Sequence, residues 1–288
     1  MSNHASVLVI GEHNVGKTNY GVQLLGRLRA NAHDSLSLDG TPDTIAPFDA
    51  GLTALNQGLT PAHTPSTSHL ELVLPVRLNE QHISLTWPDY GGEQVSEILK
   101  SRSFSEAWQD RIAKADAWML FLRLSTIDDS PDAIAHPAPK GKLATPKKSI
   151  KSDATETVKP WNSNARMIEL VQMLLYEKRI SIHGRVKLPA LVVALSCWDE
   201  IDTQKQDKPS VVLKNKLPLL YEFLTTIWDA EYFSIFGVSS LGMVIESNKV
   251  NEAFRDEGPE QHGFVINPDG SRTTDLSEPL RWLMEKVS

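Results

Sequence analysis

Gly11-Glu12-His13-Asn14-Val15-Gly16-Lys17-Thr18 follows the pattern G-x-x-x-x-G-K-[ST], with Asn19 next in the chain. Each residue type has a chemical reason to be there. The glycines let the backbone curl so that its N–H groups point inward at phosphate oxygens. Lys17 carries the charge that reaches β- and γ-phosphates, and the Thr18 hydroxyl is a ligand for Mg²⁺. A helix starting at this point adds the positive end of its dipole. A plain glycine turn would need neither the lysine nor a strand before it and a helix after it. The segment reads as a cradle for a nucleoside triphosphate.

Three further groups lie at strand ends. In Leu85-Thr86-Trp87-Pro88-Asp89-Tyr90-Gly91-Gly92-Glu93-Gln94, Asp89 can hold Mg²⁺ through water and the Gly92 N–H can sense a γ-phosphate. Glu93 and Gln94 come next in the chain. By itself D-x-x-G also describes an ordinary turn; its place one hairpin after the phosphate loop favours the functional reading. In Ser196-Cys197-Trp198-Asp199, the Asp199 carboxylate can accept hydrogen bonds from guanine N1 and N2, which adenine does not offer. The same aspartate would serve as a helix N-cap, and Trp198 either flanks a base or packs. Backbone N–H groups of Ser239-Ser240-Leu241 can meet guanine O6, or the segment is a simple strand-to-loop turn.

These groups need elements to carry them. Ser6 to Ile10 is a short β-branched run, as in a strand buried on both faces. Helical spacing follows in Val22, Leu25 and Leu28. From Asn31 to Ser68 the chain is rich in Gly, Pro, Thr and Asp, which predicts a long loop with a short helix at Phe48 to Leu55. Leu70 to Leu78 and His82 to Trp87 predict a hairpin. One helix is expected over Val95 to Ala113 and a buried strand over Ala117 to Leu124. Met167, Leu170, Val171, Leu174 and Leu175 share a helix face. Strands follow at Leu188 to Leu195 and Tyr232 to Val238. Between them Val211 to Ile227 is helical, with a kink or boundary at Pro218. A last helix carries Leu280, Leu283, Met284 and Val287 behind Ser277 and Pro279. Strands alternating with helices predict an α/β fold: a doubly wound, mostly parallel sheet with one antiparallel edge strand.

Composition bounds the rest. The 288 residues are 41% hydrophobic and 23% charged, enough to bury a sizeable core, and we read one domain over 1–288. Residues 126–160 interrupt it as a Pro- and Lys-rich insertion with little to bury. It reads as a solvated linker, or else as a basic docking strip for an acidic partner or an anionic surface. The net charge of −7 argues against nucleic acid as a partner. With a single cysteine, Cys197, no internal disulfide forms. No apolar run approaches the length of a membrane helix, and a cytoplasmic protein is expected. His63, His69 and His82 lack metal-ligand spacing.

At these positions the chain resembles the Ras-like, translation-factor-related GTPases, in the order GEHNVGKT, a switch threonine, DYGG, SCWD and SSL. WPDYGGEQ, GLTPAHT and FVINPDGSRTTDLSEPLRWLM are similar, more particularly, to bacterial double-GTPase domains of conflict, or defence, systems. The resemblance implies GTP and GDP with Mg²⁺ as ligands, and a GTPase-activating or effector protein as partner. It assigns Thr64 as the switch threonine on Mg²⁺ and the γ-phosphate, with Thr60 and Thr67 as rivals. There are three departures. Ser196 and Cys197 stand where relatives carry asparagine and lysine. Val15, preceded by Asn14, stands where the small residue before the second glycine is usual. Glu93 occupies the place of the water-orienting glutamine. The expectation is therefore a Mg²⁺-dependent GTP-hydrolysing switch, slow without a partner. The alternatives are a regulatory nucleotide-binding module with little hydrolysis and an ATP-using P-loop protein.

Overall fold

A computed structural model describes residues 3–30, 35–42, 45–62, 70–78, 81–89, 92–127, 162–181, 183–201, 207–246 and 249–287. Thr64, Thr67 and most of the Pro- and Lys-rich insertion lie outside these residues.

The strands are β1 (Asn3–Ile10), β2 (Leu36–Leu38), β3 (Leu70–Leu78), β4 (Gln81–Asp89), β5 (Ala117–Arg123), β6 (Ala190–Ser196), β7 (Phe233–Ser239), β8 (Phe264–Ile266) and β9 (Arg272–Thr273). They form one sheet in the order β2-β3-β4-β1-β5-β6-β7-β8-β9. The block β4-β1-β5-β6-β7 is parallel throughout. The expected mostly parallel sheet is present, but its antiparallel part is larger than one edge strand. β3 runs against β4 and is itself covered by β2, and β8 and β9 extend the opposite edge as a second antiparallel ribbon.

Why β1 can sit in the middle is visible in its side chains. Val7 and Val9 enter one core and Leu8 and Ile10 the other. β5 and β6 divide in the same way, with Met119 and Val192 on one face and Trp118 and Leu191 on the other. A strand apolar on both faces needs helices on both. On the first face lie α1 (Lys17–Ala30), α2 (Ala46–Asn56), α8 (Glu252–Glu257) and α9 (Glu278–Val287), which contribute Leu24, Phe48, Phe254 and Leu283. On the second lie α3 (Glu93–Ser101), α4 (Glu106–Lys114), α5 (Ser163–Glu177), α6 (Pro209–Lys216) and α7 (Pro218–Ile227), with Val95, Ile112, Leu170, Leu213 and Leu224.

Two expected elements are corrected. The helix expected over 95–113 is two helices, because Arg102 takes a left-handed conformation (φ 53°) and closes α3, and α4 starts afresh behind Ser105. The expected loop after residue 31 contains β2 as well as α2. Pro218 marks the boundary between α6 and α7.

The helix after the phosphate loop is fastened to the C-terminal segment. Gln23 and Arg27 of α1, both buried, donate to the carbonyls of Pro259, Glu260 and His262. Buried donors of this kind are costly to leave unpaired, so the two parts of the chain hold each other in place.

Candidate functional site

β1 pairs with β4 on one side and β5 on the other. Successive strands are therefore laid down to opposite sides of β1, and the loops leaving the C-terminal ends of neighbouring strands diverge there. In an open α/β sheet this is where a crevice opens. A cleft of about 580 Å³ lies at this edge and draws lining residues from five strand ends. They are the loop 13–19 after β1, Gly92 beyond β4, Arg123 at the end of β5, Ser196, Cys197, Asp199 and Glu200 around the end of β6, and Ser240 and Leu241 after β7.

The loop after β1 has the backbone that its residue types foretell. Asn14 (φ 59°) and Gly16 (φ 80°) are both left-handed, which glycine adopts freely and asparagine better than most. Val15 turns into the core instead, only 7% exposed. Lys17 Nζ donates to the carbonyls of Gly11 (2.9 Å) and Glu12 (2.8 Å), bracing the loop from inside. The Glu12 side chain is not in the cleft; it is paired with Arg166 at the start of α5.

Gly92 lies against this loop with no room for a side chain. A Cβ there would stand 2.4 Å from both Cα and N of His13. The D-x-x-G glycine and the phosphate loop are thus in backbone contact. Glu93 begins α3, and its Oε1 lies 2.9 Å from Nδ1 of His13. Gln94 is placed differently: its Oε1 accepts from the Trp108 indole at 2.9 Å, on the side of the second core. Asp89 is the last residue of β4. Thr60, the rival switch threonine, lines the cleft with Pro61 and Ala62.

On the β6 and β7 side of the cleft, Ser239 Oγ donates to Asp199 Oδ1, and the N–H of Gly242 donates to Ser239 Oγ at 3.0 Å. Ser239 is fully buried, so its hydroxyl fixes the carboxylate while Ser240 and Leu241 present the loop. Asp199 and Glu200 both reach the cleft because the chain turns back at Cys197, which is left-handed (φ 51°). Trp198 lies underneath, 5% exposed, with its ring 2.4 Å from where a Cβ of Gly237 would stand. Of its two readings, packing is the one this placement favours.

Sequence reasoning did not single out Arg123, Glu200 or the apolar residues Met243, Val244 and Ile245 that complete the lining. Arg123 looked like the end of an apolar strand. The nearest signal was a lone arginine closing a buried run, at a strand end where ligands collect.

Burial pushes the Cys197 thiol up to about 11, more than the nearby Arg123 charge pulls it down. The thiolate is the reactive form, so alkylation at neutral pH is expected to be roughly three hundredfold slower than for a free thiol, which titrates near 8.5. Rates with iodoacetamide across pH 7 to 10 test this; a rate like that of glutathione at pH 7 would show an activated cysteine.

The G-x-x-x-x-G-K-T loop, the glycine packed on it and the serine-held aspartate border one cleft. A model of the Double-GTPase 1 family matches residues 8–283, nearly the whole chain. The chain belongs to that family. Guanine-nucleotide binding is the property this Double-GTPase 1 membership brings. No curated protein matches the chain. Among the described residues, no helix is long and apolar enough to cross a membrane.

Proposed function

We propose that this Double-GTPase 1 chain is a single-domain, Mg²⁺-dependent GTP-binding and GTP-hydrolysing switch. The observation that carries the reading is the Asp199 carboxylate, held by Ser239 in the same cleft that the phosphate loop lines. Phosphates at Gly16, Lys17 and Thr18 would leave the base at Asp199, with Met243, Val244 and Ile245 as its apolar wall.

The donors present suit Mg²⁺, which takes hard oxygen ligands and keeps several waters. Thr18 lines the cleft, and its hydroxyl would hold the ion together with phosphate oxygens, a switch threonine and Asp89. When bound, the ion would neutralise charge on the β- and γ-phosphates. Lys17 would meet the same oxygens, and the N–H of Gly92, already against the loop, would register whether a γ-phosphate is there. Release of the Gly92 and Thr60 to Thr64 segments after hydrolysis is the switching step. The acidic composition favours a protein partner over nucleic acid, and the lone cysteine suits the cytoplasm. Similarity to double-GTPase domains of conflict systems supports a role in bacterial defence beside an effector or activating protein.

An ATP-using protein is disfavoured by the same carboxylate, because adenine would leave it facing no N–H donors. Asp199→Asn is expected to weaken GTP binding at least tenfold and to favour xanthosine triphosphate, whose O2 accepts a hydrogen bond from the new amide. Titration calorimetry with GTP, ATP and XTP measures this. Equal binding of GTP and ATP by the unaltered protein would refute the guanine assignment.

A further inference from the structure

Ser196 and Cys197 carry no charge with which to tie the base-reading segment to the phosphate loop. The Cys197 thiol is held protonated well above neutrality, and Ser196 is a buried, neutral hydroxyl. Arg123 makes the tie from another strand. Its Nε and Nη2 donate to Glu200 Oε2 and Oε1 at 2.9 and 2.5 Å, and its Nη1 donates to the carbonyl of Asn14 at 3.1 Å. Ser125 Oγ adds a bond to Glu200 Oε2 at 2.5 Å. Arg123 is 29% and Glu200 17% exposed, and both line the nucleotide cleft. Surface ion pairs contribute little, but a bidentate, largely buried arginine–carboxylate pair is the geometry that does hold position. Its two ends are well chosen. Asn14 is one of the left-handed residues of the phosphate loop, and Glu200 directly follows Asp199.

We propose that Arg123, braced by Glu200, is the positioning residue that locks the phosphate loop to the base-reading segment and so sets guanine selectivity here. The proposal rests on Asp199 reading guanine. A nucleotide spans both parts: its phosphates are fixed by the loop, and its base must then arrive in register with a carboxylate. Hydrogen bonds weaken steeply once distance and angle drift, so selectivity depends on how rigidly the two parts are joined. Arg123 joins them in one planar fork. Lysine, a point charge on a flexible stem, cannot reproduce three directed bonds.

The test measures GDP and ADP affinities for the unaltered chain and for Arg123→Gln, Arg123→Lys, Glu200→Gln and Asp199→Ala, with thermal melts alongside. Arg123→Gln is expected to lose roughly ten- to hundredfold in GDP affinity, on the scale of charge-assisted hydrogen bonds, while ADP affinity stays the same. Glu200→Gln should repeat this and Arg123→Lys should recover only part of the GDP:ADP ratio. If Arg123→Gln does not fold, the other two variants decide, since each keeps one of the partners. An unchanged ratio in these variants, with Asp199→Ala still collapsing it, overturns the role of Arg123 and leaves the guanine reading standing. If the unaltered chain binds GDP and ADP alike and Asp199→Ala changes nothing, the guanine reading has failed and the proposal falls with it.

Discussion

Lys17→Ala is expected to lower GTP affinity by about 10²–10⁴-fold, the equivalent of two charge-assisted hydrogen bonds, and to leave the fold intact. The ammonium group braces the loop by donating to the carbonyls of Gly11 and Glu12. Both residues precede the helix, and Lys17 itself lines the cleft, where water can take the place of Nζ at small cost. The phosphates have no such substitute, since water brings no charge. GTP should lose more affinity than GDP, because the lysine meets the γ- as well as the β-phosphate. Calorimetric titration with both nucleotides, checked by circular dichroism, measures the effect. Unchanged GTP affinity in a folded variant would remove the phosphate-loop assignment, and with it the orientation of the nucleotide in the cleft.

How far the sequence foretold this arrangement depends on what the signal was made of. The central strands were legible because Val7 to Ile10, Ala117 to Leu122 and Leu191 to Leu195 are apolar without interruption, which follows from burial on both faces. The outer strands were not. β2 is three residues long and β9 two, too short for any alternation to show, and pairing with β3 and β8 is what makes them strands at all. The break between α3 and α4 rests on one backbone conformation at Arg102, in a stretch whose apolar spacing carries on past it. Site residues fell into the same two classes. Those within one local pattern, such as Gly16, Lys17 and Asp199, were found by spacing. Arg123 could not be, because its partners Glu200 and Asn14 are 77 and 109 positions away. Such a pairing exists only once the sheet has placed β1, β5 and β6 side by side.

GTP hydrolysis by the isolated chain is expected to be slow, on the order of 10⁻⁴ to 10⁻² s⁻¹ as in related switches acting alone, with Glu93→Gln no slower. An ionised Glu93 can only accept hydrogen bonds, and its charge would stand near a γ-phosphate that is already strongly negative. The structure turns it elsewhere: Oε1 lies against His13 Nδ1, and Oε2 is buried with no hydrogen-bond partner among the described residues. A carboxylate held this way latches α3 onto the phosphate loop, beside the contact of Gly92 with the His13 backbone. It does not present itself to an attacking water. Gln94 is committed to Trp108, so Gln94→Ala should leave the rate unchanged. Four of the chain's own arginines are engaged or buried. Arg102 is paired with Glu169, Arg166 with Glu12 and Arg123 with Glu200, and Arg111 is buried. A partner-supplied arginine, worth 10³–10⁵ in related systems, is the completion we propose. His13→Ala is the informative companion, because it frees Glu93 from its latch without touching the carboxylate. Single-turnover hydrolysis by the four proteins settles the matter. Fast turnover by the unaltered chain, lost in Glu93→Gln and in His13→Ala alike, would make the His13–Glu93 pair the base that takes the proton from water, and the latch reading would be wrong.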